Sequence, residues 1–262
     1  MSQSPFKPPT QFAVDVLQWH RWVGNGGRGK GVIQSWAHDG MGYRAAEELV
    51  PELEKFVICD TIEVWNCDIQ DVVGLAASKS TLSDFTSLDD MVETNSREMI
   101  DSITEHKLQE NLAWNQIRIL RSDPALKNDW FERHMWDGGR IFLINEGGSH
   151  HFAAARYIAA RLHQNVPLSG RLKTYRIDQV AAAALCSRFD MYAFARDGAY
   201  GEFVSAMSSF RAPFSVYRMP GPSAENQIVL LPTIDKRAVK VSATLRDHGF
   251  FDVNALITEC LV

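Results

Sequence analysis

Short apolar runs of strand length alternate with segments of helical period along these 262 residues, and that interleaving predicts an α/β (or α+β) fold. The clearest strands are 57–66 (VICDTIEVWN), 140–144 and 227–232; the clearest helix is 150–163, which opens at a glycine pair. With 45% hydrophobic and 23% charged residues, the chain has enough apolar material for one large domain or two modest ones.

In chain order, residues 1–10 are rich in Pro and Ser and read as a loose tail. Phe12, Val16, Trp19 and Val23 have near-helical spacing ahead of the glycine-rich turn GNGGRGKG at 24–31. Residues 43–57 read as a helix, 57–66 as a strand and 78–94 as an acidic loop or short helix. From Ser96 to His106 the pattern is helical, with Met99, Ile100 and Ile103 on one side. Leu112–Leu120 alternates like a strand, and 121–139 is a polar excursion leading into the strand at 140–144. After the helix at 150–163 come a strand at 172–177, helices at 178–195 and 198–209, a strand at 227–232 and a last helix at 252–261.

The net charge is −5, with −7 on residues 1–170 and +2 on 171–262. That balance disfavours nucleic acid and anionic membrane as partners. Cys59, Cys67, Cys186 and Cys260 form no C-x-x-C pair and no zinc spacing, so no metal ligands are assigned from the sequence. Four scattered cysteines and a start (MSQSPFKPPTQF) without an apolar signal region point to a reducing cytoplasm. No run approaches the ~18 apolar residues of a spanning helix, so no membrane association is expected.

The stretch INEGGSHHFAAARYIAARL, Ile144–Leu162, carries the chemistry. A strand that turns through Gly147-Gly148 into a helix leaves backbone N–H groups free, and such a helix start attracts anions. Ser149 is the expected N-cap. His150 and His151 add imidazoles that gain charge if a phosphate raises their pKa. Glu146, directly before the glycines, is positioned to hold Mg²⁺ or to act as a base toward a hydroxyl acceptor. The bland reading is a helix-entry turn flanked by surface histidines.

Other groupings say less. Gly24, Gly29 and Lys30 satisfy GxxxxGK, but Gly31 stands where a phosphate loop needs Ser or Thr, and a helical segment precedes it. Trp19-His20-Arg21-Trp22 reads as core with a polar edge. His38-Asp39 and Asp68-x-x-Asp71 read as solvated pairs, and Lys236, Arg237 and Lys240 make too small a basic patch for nucleic acid.

Gly147-Gly148-Ser149-His150-His151-Phe152-Ala153-Ala154 resembles the signature box of the ParB/sulfiredoxin-like superfamily. That box reads G-G-C-H-R in sulfiredoxins and G-E-R-R in ParB proteins, each followed by an aromatic residue and alanines. Upstream, Asp101–Gln109 with Asn111-Leu112 resembles the "SI-x-E-x-G-L-x-x-P-I" segment, and Val166–Ile177 resembles the strand that follows the box helix. The resemblance covers about residues 96–180 and implies a nucleotide-binding core with a mixed sheet. It sets residues 1–95 apart as an N-terminal extension of mixed α/β character and 181–262 as a mostly helical C-terminal one.

The chain departs from the pattern at four positions. Ser149 replaces the sulfiredoxin cysteine, which removes thiol chemistry, and His151 stands where the family has Arg. Lys107 and Asn111 replace Gly and Pro. Arg140, Arg156, Arg171 and Lys173 are the candidates for the missing cation. The resemblance implies that Gly147, Gly148, Ser149, His150 and His151 hold the phosphates of ATP or another NTP with Mg²⁺, and that Glu146 is catalytic. The expected function is an enzyme that hydrolyses an NTP or transfers its phosphoryl group. The alternative is a non-catalytic regulatory module, with the flanking regions forming a protein-partner surface.

Overall fold

The computed structural model describes residues 15–22, 29–121, 128–195 and 198–261. Its elements run α1 (Trp19–Trp22), β1 (Val32–His38), β2 (Tyr43–Leu49), α2 (Pro51–Glu54), β3 (Val57–Asp68) and β4 (Val72–Leu75). Then follow α3 (Leu88–Asn95), α4 (Glu105–Leu112), β5 (Trp130–His134), β6 (Ile141–Ile144), α5 (Ser149–Leu162) and β7 (Pro167–Ile177). The rest is α6 (Gln179–Arg188), β8 (Phe189–Phe194), α7 (Gly198–Phe210), β9 (Phe214–Arg218), β10 (Gln227–Pro232), α8 (Lys236–Asp247), β11 (Phe251–Asp252) and α9 (Val253–Glu259). Helices together with one mixed and one antiparallel sheet make this an α/β or α+β fold, as the interleaved pattern predicts.

The chain divides into two units. One comprises residues 9–16 and 59–175, the other 1–8, 17–58 and 176–262. These boundaries differ from consecutive stretches at 1–95, 96–180 and 181–262, because the second unit draws strands from both ends of the chain.

The 59–175 unit is built on a five-stranded sheet in the order β3-β7-β5-β6-β4. β4 and β6 pair in parallel, β6 and β5 antiparallel, and β5 and β7 in parallel, so the sheet is mixed. Its core joins Phe131, Leu143 and Leu172 of the sheet to Phe152, Ala154 and Ile158 of α5, Met91 and Val92 of α3, and Leu108 of α4. Ala153, Ala154 and Ala155 are all fully buried. Their small side chains let α3, α4 and the sheet close around the start of α5.

The other unit has a six-stranded antiparallel sheet, β11-β8-β10-β9-β1-β2, with a core of Tyr192, Phe194, Phe214, Val229, Leu231, Val241 and Leu245. Trp19 and Trp22 are buried against each other and against Phe56, as their core reading expects.

Several local expectations are corrected. Residues 43–49 are strand β2, not the start of a helix. YRAAEEL favours helix by propensity, yet it pairs in full register with β1, from Val32↔Leu49 to His38↔Tyr43, and the only helix there is the turn opened by Pro51. Residues 112–120 form no strand. Backbone bonds Trp114→Asn111, Ile117→Trp114 and Leu120→Ile117 wind this segment into successive turns. Helix over 96–106 starts only at Glu105, where Thr104 caps it, with a 3₁₀ turn at Arg97–Met99 before it. The second half of the 178–195 helix is β8, whose aromatic-rich FDMYAF pairs with β10. The C-terminal stretch, expected to be mostly helical, thus carries strands β8 to β11 as well. No helix among the described residues is long and apolar enough to cross a membrane.

Candidate functional site

β6 ends at Ile144, and the next four residues turn the chain into α5. Asn145, 5% exposed, fixes this turn: its Oδ1 accepts from the N–H groups of Ala76 and Ala77, and its Nδ2 donates to the carbonyls of Ala77 and Gly147. The loop after β4 is thereby clipped to the mouth of α5. Asp129 braces the same turn from below, accepting from Glu146 N–H and Ile119 N–H. Burial pushes the Asp129 carboxyl up, and the hydrogen bonds from Glu146 and Ile119 oppose that.

The N-cap of α5 is Gly148, not Ser149, and no side chain caps it. Gly148 is left-handed, with φ 71 and ψ 12. A Cβ there would lie 2.8 Å from the carbonyl carbon and oxygen of Gln116. Glycine therefore meets both a conformational and a steric demand, and Ser149 is moved into the first turn. The amide groups of Gly148, Ser149, His150 and His151 have no hydrogen-bond partner among the described residues. They form the positive end of a 14-residue helix.

A cavity of about 510 Å³ opens in front of them, lined by Ser78, Lys79, Trp114, Gln116, Arg118 and the whole run Glu146–His151. The six residues singled out in the sequence thus share one cavity. Arg140, Arg156, Arg171 and Lys173 do not line it. Arg140 pairs with Asp137, Arg156 with Asp89 and Arg171 with Glu63, while Lys173 lies over the Trp130 ring. The cations at the cavity are Arg118 and Lys79, which sequence reasoning missed. Arg118 lay hidden in a segment read as a strand, and Lys79 in an acidic loop far away in sequence. Arg118 forms an ion pair with Glu146.

Both histidines are held rather than loose. His151 Nδ1 meets Asn111 Oδ1 at 3.0 Å, while Asn111 Nδ2 donates to Met99 and Lys107 carbonyls. Those two bonds fix the amide, so His151 Nδ1 carries the proton and Nε2 is the basic nitrogen. Trp114 stacks on the imidazole at 4.3 Å, giving the cavity a flat aromatic wall. His150 Nδ1 is hydrogen-bonded to Ser96, and Nε2 lies 3.1 Å from Ser80 Oγ and 3.4 Å from Ser78 Oγ. Burial lowers the pKa of both, with Lys79 adding to the effect on His150 and His150 to that on His151. Both rings are neutral near pH 7, so the resting cationic charge comes from Arg118 and Lys79.

The remaining sequence candidates are structural. His38 Nδ1 and Asp39 accept backbone N–H groups of the β1–β2 turn, and Asp39 pairs with Arg44. Asp68 and Asp71 form a reciprocal cap on a 3₁₀ turn. Arg237 pairs with its neighbour Asp235. Gly24, the first glycine of the GxxxxGK match, lies outside the described residues; Gly31 packs against the backbone of Val50 and Glu54.

Residues 62–261 match the family model described as "Family of unknown function (DUF6685)", and the chain belongs to that family. No curated protein and no solved structure matches it.

Proposed function

We propose that this DUF6685 member binds a nucleoside triphosphate in the cavity at the start of α5 and transfers or hydrolyses its terminal phosphoryl group. The observation that carries this reading is the floor of the cavity. Free N–H groups of Gly148–His151 stand beside two cations, Arg118 and Lys79, in a space of about 510 Å³. Amides at a helix start fit phosphate oxygens, and a cavity of that volume is in the range of small-molecule sites.

The flat Trp114–His151 wall supplies a surface for a planar base. Arriving phosphates compete with Glu146 for Arg118, which releases the carboxylate toward the reacting group. Glu146 is the only carboxylate among the lining residues. Magnesium, which favours one or two carboxylates plus phosphate oxygens, suits that donor set and would supply charge neutralisation at the phosphates. The remaining catalytic contribution is positioning and electrostatic stabilisation by the amides, Lys79 and Arg118.

The test is phosphate release from ATP, GTP and CTP with Mg²⁺, on wild type and Glu146→Gln. Turnover lost in the variant while nucleotide still binds supports an enzyme. Binding without turnover in wild type supports the regulatory module instead, and the absence of binding removes the proposal.

A further inference from the structure

Ser149 sits at the floor of the cavity, 5% exposed, with its hydroxyl donating to Ser78 Oγ at 3.0 Å. Ser78 Oγ also accepts the Ser80 N–H at 3.2 Å, so two donors occupy its lone pairs. Its own proton is left to point at His150 Nε2, 3.4 Å away. The other face of that imidazole is fixed by Ser96, itself 2% exposed, which accepts from Nδ1 in this arrangement. Ser80 Oγ, 3.1 Å from Nε2, takes a donor from Asn95 Nδ2; its hydroxyl shares the Nε2 lone pair with that of Ser78 in the neutral ring and accepts from Nε2 once that nitrogen is protonated. The chain Ser149–Ser78–His150–Ser96 therefore has the parts of an activated nucleophile: a hydroxyl, a base reached through a second hydroxyl, and a group that orients the base. From sequence alone the link from Ser149 to its neighbour His150 is not visible, because Ser78 and Ser96 are far from both in the chain.

We infer that Ser149 is the first acceptor of the phosphoryl group, forming a phosphoserine intermediate with the Ser78–His150 relay taking its proton. This rests on the triphosphate reading above and names the acceptor that reading leaves open. In the step, Ser149 Oγ forms a bond to the terminal phosphorus of the nucleoside triphosphate. The bond from that phosphorus to the bridging oxygen breaks, and its electron pair leaves with the diphosphate. The Ser149 proton passes to Ser78 Oγ as the Ser78 proton passes to His150 Nε2. The phosphoserine formed lies on the N–H groups at the start of α5, the favourable end of the helix for a dianion. Water or a second acceptor then takes the phosphoryl group and restores Ser149.

The experiment mixes the full chain with ATP, GTP or CTP labelled in the terminal phosphate, with Mg²⁺, and quenches in acid at short times. The protein is then digested and the label mapped. The expected result is acid-stable label on Ser149 that forms before free phosphate appears. Ser149→Ala should carry no label and lose turnover, and Ser149→Thr should regain both in part. His150→Gln should slow labelling at saturating nucleotide by about 100-fold, the usual scale of acid–base assistance. In wild type the labelling rate should rise with pH as His150 loses its proton. Free phosphate released with no label on Ser149, label on another residue, or normal turnover in Ser149→Ala would each overturn the intermediate and leave the nucleotide site standing. No nucleotide binding by wild type would overturn both.

Discussion

Replacing Gly148 by Ala tests whether the turn is built around a close backbone approach. At φ 71 an L side chain is strained, at a cost of about 1–2 kcal/mol. The added Cβ would lie 2.8 Å from Gln116 C and O and 2.9 Å from Ile117 N, all backbone atoms, so no flexible side-chain end can yield. Forcing them apart adds about 1–3 kcal/mol, for a total of about 2–5 kcal/mol. In a chain of this size that lowers the melting temperature by roughly 5–15 °C. Two controls separate the contributions. Gly138 has φ 69 but nothing within 4 Å of a Cβ, so Gly138→Ala should cost only the conformational part. Gly147→Ala would meet the Gln116 side-chain oxygen at 3.3 Å and should cost less than about 1 kcal/mol, because that end can swing away. Urea and thermal denaturation of the three variants measure the ranking. Gly148→Ala within about 0.5 kcal/mol of wild type, or no worse than Gly138→Ala, would refute the reasoning.

Other perturbations read other parts of the site. Asn145→Ala removes the clip between the loop after β4 and the turn and takes the side-chain partner from partly buried backbone groups of Ala77 and Gly147, while the Ala76 N–H keeps the Leu143 carbonyl; it should cost about 1–3 kcal/mol in urea denaturation. Gly170→Ala would drive a Cβ to 2.5 Å from Ile119 Cδ1 and 3.1 Å from Phe131, and should lower stability by about 1–3 kcal/mol through packing alone. The two histidines make stability pH-dependent in a defined direction. Their folded pKa values lie below 6.5, so the unfolded chain binds more protons as pH falls through that value. Their contribution is complete above pH 6.5, declines as pH drops from there toward the folded pKa values, and is level below them. Replacing both by Gln should flatten the stability profile in that window, and an unchanged profile would contradict the neutral assignment.

What the sequence made legible here is what depends on short-range pattern. The apolar run Ile141–Ile144, the glycine pair and the alanine-rich segment behind it are local signals, and β6, the turn and α5 lie where those signals put them. The site's remaining parts depend on distance in space. Lys79 and Ser78 reach the cavity only because Asn145 holds the loop after β4, and Arg118 only because 112–120 winds into turns instead of extending. Asn111 shows the same limit. In sequence it is a departure from a family proline, while in the structure its fixed amide decides which nitrogen of His151 is basic. The N-cap falls on Gly148 although Ser149 is the better capping side chain, because the close pass of Gln116 demands glycine. Strand β2 stands where local propensity favours helix, because pairing with β1 outweighs the helix propensity of Ala and Glu.

The proposed nucleotide site sets its phosphates at the start of α5. The most direct measurement is calorimetric titration of wild type and Arg118→Ala with ATP, GTP and CTP, each with and without Mg²⁺. The account predicts saturable binding of at least one triphosphate to wild type, strengthened by Mg²⁺. Loss of the Arg118 contact should weaken that binding about 10- to 100-fold. No heat of binding with any triphosphate, or equal affinity in Arg118→Ala, would contradict it.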